Sequence, residues 1–452
     1  MRDRAANGAA RAAPEATSAE QARERYRFPS RFLWGAATAS HQVEGNNRHN
    51  DWWQFEEAGR LPHRSGEACR HYERYESDFD LARSLGHNAH RLSLEWSRIE
   101  PEPGAWDDAE LEHYARVIAA LRARGIEPIV TLHHFTCPAW FARGGGWTRP
   151  DSVELFTRYA ARVAQRLAGE VRFWLTVNEP TVYVKHAYVT GDWPPCRPGS
   201  WGSAARALFH LSRAHVAAYR VLHFVRPDAM VGLAHSAPFV TACNRASWLD
   251  RSAARLRDFA LNDLAFRLLG VRPAAVLDFI GINYYARQIV RSHFGGVRTM
   301  LFGTECQEDH HDAPRSFTPM GWEIYAPGLR QVLQRFQRYG VPLMVTENGI
   351  ATTDETRREA YLRSHLQALG EAVEDGIPVL GYLYWTLMDN YEWTEGREAR
   401  FGLVAVDFDT QERTVRPTAR VLQNACRDNS VDGEPLAGES SVPRLQPQEH
   451  GR

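Results

Sequence analysis

The sequence predicts an α/β fold, a (β/α)8 TIM barrel in a single domain with extended βα loops. Two observations carry this. Eight short β-like runs alternate with stretches whose apolar residues recur at helical spacing, the rhythm of a parallel sheet closed by crossover helices. The residues with chemical potential, above all Glu179 and Glu347, fall at the C-terminal ends of such runs, where barrels of this kind carry their chemistry.

In chain order, strands are predicted at 32–39, 89–94, 128–132, 171–177, 231–234, 279–283, 343–346 and 379–385. Leu111, Tyr114, Ile118 and Leu121 mark the helix before the third strand, with Gly125 as its stop. Phe156, Tyr159, Val163 and Leu167 do the same before the fourth. Leu329, Val332, Leu333 and Phe336 precede Gly340 and the seventh strand, and Tyr361, Leu362, Leu366 and Leu369 precede the eighth. The barrel is assigned to residues 26–427, with no second domain and no internal repeat. Residues 1–25 and 428–452 are polar and rich in Ala, Gly, Ser, Pro and Glu. They are expected to be disordered tails, since such composition buries too little apolar surface to offset the entropy of ordering.

Of 452 residues 44% are apolar and 24% charged, which suits a globular chain with a sizeable core. A net charge of −1 gives no electrostatic case for nucleic acid or an anionic membrane, and neither is expected as a partner. No run approaches the roughly 18 apolar residues of a membrane span, and the first 25 residues lack the apolar segment of a secretory leader. Six scattered cysteines without CxxC spacing read as reduced thiols, so a cytoplasmic enzyme is expected.

Two motifs define the chemistry, Thr176-Val177-Asn178-Glu179-Pro180 and Val345-Thr346-Glu347-Asn348-Gly349. A lone glutamate after a strand usually caps a helix or faces solvent. That does not explain two, each flanked by asparagine and followed by a chain-turning residue. Carboxylates from the ends of different strands are the minimal equipment for breaking a glycosidic bond, one protonating the leaving oxygen while the other attacks the sugar or activates water. The 14 tryptophans supply natural platforms for sugar faces. His133-His134 and His310-His311 lack a third ligand at useful spacing, and Gly144-Gly145-Gly146 lacks the Lys-Ser/Thr of a phosphate loop. No metal or other cofactor is expected.

Further motifs stand in the same order along the chain: His41-Gln42-Val43-Glu44-Gly45, Arg91-Leu92-Ser93-Leu94-Glu95, Thr131-Leu132-His133-His134-Phe135 and Asp389-Asn390-Tyr391-Glu392-Trp393. Together with the two glutamate motifs, this set closely resembles glycoside hydrolase family 1, the retaining β-glycosidases, over roughly residues 27 to 427. The resemblance implies Glu179 as general acid/base and Glu347 as nucleophile. It implies Gln42, His134, Asn178, Trp385, Glu392 and Trp393 as sugar-binding residues. Arg91, Asn283 and Tyr285 would support the nucleophile, and Trp322 would form an aromatic platform for the leaving group. The chemistry is consistent with this set. Sugar hydroxyls both donate and accept, so amide, imidazole and carboxyl groups suit them, and a fixed cation beside one carboxylate sets two carboxyls to opposite protonation states.

The implied activity is hydrolysis of terminal non-reducing β-D-glucosyl residues, with β-galactosyl and β-fucosyl residues also cleaved, by double displacement through a covalent glycosyl-enzyme. The implied partner is a small-molecule β-glycoside or oligosaccharide; the oligomeric state stays open. One alternative is a 6-phospho-β-glycosidase, a group that tends to replace the Glu-Trp pair and add Ser and Lys. Here Glu392-Trp393 stand intact, Glu398-Ala399 occupy the Ser and Lys positions, and an anionic Glu392 would repel phosphate. A non-catalytic sugar-binding protein is the other, but such members usually lose a carboxylate. The chain departs from the family where His134-Phe135-Thr136 replaces the usual His-Trp-Asp, at Cys137, and near 270–277, where it is shorter. Those departures bear on the shape of the site mouth.

Overall fold

Eight parallel strands close on themselves: β1 (Leu33–Ala37), β2 (Ala89–Ser93), β3 (Glu127–His133), β4 (Phe173–Asn178), β5 (Met230–Ser236), β6 (Ile280–Asn283), β7 (Leu343–Glu347) and β8 (Val379–Trp385). Each pairs with the next, and β8 pairs back onto β1, Gly381 opposite Leu33 through Trp385 opposite Ala37. All eight strands read from the sequence are present. The computed structural model that shows them describes residues 24–308 and 315–433.

Alternation along the strands sorts side chains into two cores. Ala37, Ile129, Leu175, Ala234, Met344 and Leu383 fill the barrel interior, while Trp34, Val130, Trp174, Val231 and Val345 pack outward beneath the helices. Because both faces are buried, the strands read as continuous apolar runs. Gly35 is required by close approach, since a Cβ there would lie 1.8 Å from the carbonyl oxygen of Ala89. The predicted helical stripes lie on Asp108–Ala123, Ser152–Leu167, Pro327–Phe336 and Glu355–Glu374. The Asp107 carboxylate caps the first of these, accepting from the Ala109 and Glu110 amides at 2.9 and 3.1 Å.

Two features were not foreseen. Phe239–Ala242, Arg287–Arg291 and Thr304–Glu305 form a three-stranded sheet flanking β6. At the other pole, Glu24–Arg27 pairs antiparallel with Ser430–Gly433, Glu24 opposite Gly433 and Arg27 opposite Ser430. The expected tail limits are therefore corrected: the folded unit extends to residues 24 and 433, and the helix Ala419–Asp428 runs through the former boundary. Tyr26 and Val431 are buried while Arg25 and Arg27 face solvent, an alternation that made a strand look like polar tail. The rest of the expected tails, 1–23 and 434–452, lies outside the described residues, as does His310-His311. Among the described residues no helix is long and apolar enough to cross a membrane.

Candidate active site

The backbone presents the two glutamates differently. β4 ends at Asn178, and Glu179 then takes a left-handed conformation (φ 43°) that turns the chain into the helix Pro180–Val184. Proline suits the first helical position, where its missing N–H loses nothing. The Glu179 amide is pinned to the Ala234 carbonyl at 2.8 Å. Glu347 closes β7, and its neighbour Asn348 faces away to lock the strand end. Asn348 donates to the Tyr284 carbonyl (2.7 Å) and Tyr361 hydroxyl (2.9 Å) and accepts from the Tyr382 hydroxyl (2.8 Å).

Arg91, fully buried on β2, ties four strands together. It donates to Thr131 Oγ1 on β3 (3.0 Å), Asn178 Oδ1 on β4 (2.7 Å), and the Thr346 carbonyl (3.3 Å) and Glu347 Oε1 (2.5 Å) on β7. The second oxygen of Glu347 accepts from the Tyr285 hydroxyl at 2.6 Å. Asn283 Nδ2 donates to Glu179 Oε1 (2.8 Å) and Asn178 Oδ1 (3.2 Å), and its own oxygen accepts from Thr346 Oγ1 (2.6 Å). With Asn178 Oδ1 taken twice, only its Nδ2 retains donor capacity.

These contacts separate the carboxyls. Burial raises Glu179 to about 8, and the charge of Glu347 pushes the same way; the Asn283 amide and Arg91 only partly oppose them. Burial raises Glu347 too, but there the Arg91 cation, the Tyr285 hydroxyl and the Asn283 amide all pull it down. The pair titrates jointly. Its first proton belongs on Glu179, the carboxyl that has no cation of its own.

Both carboxyls open into a cavity of about 420 Å³ at the C-terminal ends of the strands. Of the sequence-predicted residues, His134, Asn283, Tyr285, Trp322, Trp385, Glu392 and Trp393 line it as well. Gln42, Asn178 and Arg91 stand one layer behind. Gln42 Nε2 donates to Glu392 Oε2 at 3.0 Å, and Trp385 Nε1 reaches the same oxygen at 3.4 Å. His134 stacks on Trp385 and Trp393 at 5.8 and 6.1 Å between centroids. Burial holds its imidazole neutral, helped by the nearby Arg91 charge. His134 Nε2 meets the Asn178 amide nitrogen at 3.2 Å and so accepts; its proton is assigned to Nδ1, which is buried and unpartnered. Burial also pushes Glu392 up to about 8. The Trp385 and Gln42 donors oppose that rise, so the charge Glu392 would turn toward a phosphate depends on pH.

Sequence reasoning missed Lys185, Trp193, Gln288, Glu305 and Phe401, which also line the cavity. Lys185 opens a short helical turn, and the others come from loops and short strands, none of which carries a periodic signal. The departures at 135–137 fall unevenly. Phe135 (φ 73°) lines the cavity and packs on Trp193 and Trp393 at 4.8 and 5.2 Å. Thr136 turns away to donate to the buried Glu95 carboxylate (3.1 Å), and Cys137 is buried beside His133.

The family model for Glycosyl hydrolase family 1 matches residues 24–267 and 267–431. A solved beta-glycosidase from Pyrococcus horikoshii is 39% identical, with a TM-score of 0.83 over 91% of this chain and 97% of that one. Beta-glucosidase A of Thermotoga maritima is 30% identical over 90% of this chain and 99% of its own length. A 6-phospho-beta-galactosidase of Lacticaseibacillus rhamnosus is 29% identical over 90% and 99%, so overall similarity does not choose among sugars. With a fold and a family model that both span the described chain, the protein belongs to glycosyl hydrolase family 1.

Proposed function

We propose that this protein is a retaining β-glycosidase in which Glu347 is the nucleophile and Glu179 the general acid/base. One observation carries the assignment: two carboxyls share a buried cavity, and only Glu347 has a guanidinium and a phenol hydroxyl bonded to it. Glu347 attacks the anomeric carbon as Glu179 gives its proton to the departing oxygen, forming a glycosyl ester. Glu179, now a base, takes a proton from water, which displaces Glu347 and regenerates both groups. Glu392 serves hydroxyls on the far edge of the sugar and His134 lines the same cavity, with Gln42 and Asn178 holding these two groups from behind. The Trp385 ring offers its face.

Terminal β-D-glucosyl residues are the proposed glycone, with β-galactosyl and β-fucosyl residues also accepted, because a carboxyl that donates and accepts serves either orientation of the 4-hydroxyl. Six scattered cysteines, none in a disulfide among the described residues, support action in a reducing compartment, the cytoplasm. The test is turnover of an aryl β-glucoside with NMR of the first-formed sugar. The β-anomer is expected; an initial α-anomer would sink the retaining assignment. A melting shift with sugar but no turnover would mean a sugar-binding protein instead.

A further inference from the structure

Of the 54 lysine and arginine residues in this chain only one is lysine, and it is Lys185. It lines the cavity. Twenty-five of 452 residues do so, and a lysine set down at random would miss far more often than hit. Elsewhere the chain meets every need for positive charge with arginine, whose planar fork suits fixed carboxylates. A compact ammonium on a flexible stem suits a partner whose position varies.

The placement of Lys185 fixes which side of the cut it serves. Glu179 caps the helix Pro180–Val184, and Lys185 opens the π-helical turn Lys185–Thr190 that continues it. Six residues at about 1.5 Å each carry it roughly 9 Å beyond the acid. Glu179 faces the oxygen of the bond to be broken, so the region further out along its helix belongs to the leaving group. Glu305 and Gln288, from the sheet flanking β6, line the same cavity. Glu305 pairs with Val290, two residues along the strand from Gln288. Burial raises the Glu305 carboxyl, the charges of Arg257, Lys185 and Arg315 lower it, and Gln288 Oε1 is buried without a partner.

We propose that Lys185, Glu305 and Gln288 determine leaving-group specificity, favouring a hydroxyl-rich leaving group, a second sugar, over a flat apolar one. The inference rests on the glycosidase reading above. An ammonium, a carboxylate and an amide oxygen together offer donors and acceptors, which is what neighbouring sugar hydroxyls require. An aryl group uses none of them, and to sit there it must displace their water without replacing the hydrogen bonds. Trp322 and Met320 in the same mouth give apolar surface to either kind of group, so they do not discriminate.

The experiment compares kcat/KM on a β-linked glucose disaccharide and on an aryl β-glucoside, in the parent, Lys185→Met and Glu305→Gln. Each variant should lower the disaccharide-to-aryl ratio about tenfold, chiefly through KM, the loss of one charge-assisted hydrogen bond. A ratio that stays at the parent value, because both substrates fall together or neither changes, overturns the inference and leaves the glycosidase reading intact. A parent that cleaves neither substrate overturns both. Since Lys185 is the only lysine, acetylation followed by peptide mass spectrometry reads it directly. In Glu347→Gln, which lacks the nucleophile, the disaccharide should protect Lys185 and the aryl glucoside should not. Equal protection by the two would count against the assignment.

Discussion

Nη1 of Arg91 lies 2.5 Å from Oε1 of Glu347, joining β2 to β7 beneath the cavity with both groups almost wholly buried. A carboxylate so placed would hold its proton tightly without its cation. In the proposed mechanism Arg91 is therefore what keeps Glu347 available as the nucleophile.

Arg91→Met should lower kcat on the order of 100-fold, the scale of removing one fixed electrostatic partner from a dry site. It should also raise the pKa of Glu347, so the acidic limb of kcat/KM moves to higher pH. Breaking a buried pair from one side costs about 3–5 kcal/mol, so the melting temperature should fall as well. A pH–rate profile of parent and variant checks this. An unmoved acidic limb would show that Arg91 does not govern Glu347.

As the proposed acid Glu179 must be protonated, and burial beside Glu347 raises it to about 8. Activity should accordingly decline as pH rises through about 8. Glu179→Ala should still form the glycosyl-enzyme from an activated aryl glycoside, but the intermediate should accumulate for want of a base. Azide needs no base and should restore turnover with a β-azide product. Parent-like activity of the variant on an unactivated disaccharide would refute the role.

Glu179 and Glu392 both rise from 4.5 to about 8 on folding. Between those values the folded protein binds more protons than the unfolded chain, so stability present below about pH 4.5 is lost as pH rises to about 8. The double variant Glu179→Gln, Glu392→Gln should flatten that dependence and melt a few degrees above the parent at pH 8. Parallel melting curves against pH would contradict it.

Glu392 should select neutral sugars over 6-phosphorylated ones, and the selection should sharpen with pH. Below about 8 the carboxyl is largely neutral; once ionised, it opposes a phosphate in a partly dry pocket, a penalty of several kcal/mol. The parent should prefer an aryl β-glucoside to its 6-phosphate, by a ratio that widens from pH 6 to 9. Glu392→Ser should lose most of that preference. A parent preferring the phosphorylated sugar would overturn the substrate class.

Removing residues 1–23 and 434–452 should leave kcat/KM within about twofold and the melting temperature within a few degrees, since their composition buries little. Cutting further, through Glu24–Arg27 or Ser430–Gly433, removes a strand pair and the buried Tyr26 or Val431, and should lower the melting temperature distinctly. Comparison of the two truncations by calorimetry separates tail from fold.

The barrel was legible because strands buried on both faces keep apolar runs such as Leu343, Met344 and Val345, which no surface pattern dilutes. That the carboxyl pair and its polar neighbours would be brought together was legible because they sit at fixed offsets from those strand ends. Phe239–Ala242 and Arg287–Arg291 were not, since their largely half-buried residues leave no clean alternation. Gln288 and Glu305 ride on that unseen sheet and were missed with it. Burial at a distance was equally invisible: nothing near Glu392 in the chain foretells that burial pushes it up while Gln42, 350 residues away, donates to it and pulls the other way.

The pairing of Glu24–Arg27 with Ser430–Gly433 brings the two ends of the folded unit side by side. Asn429 also bonds the indole of Trp34, at the start of β1, at 3.0 Å, so this clasp lies near the pole where the strands begin, while substrate enters where they end. A carrier, bead or partner domain joined directly at residue 24 or residue 433 would thus emerge from one spot on the blind side of the barrel. Immobilised through that spot, the enzyme would present its open cavity outward to the solution.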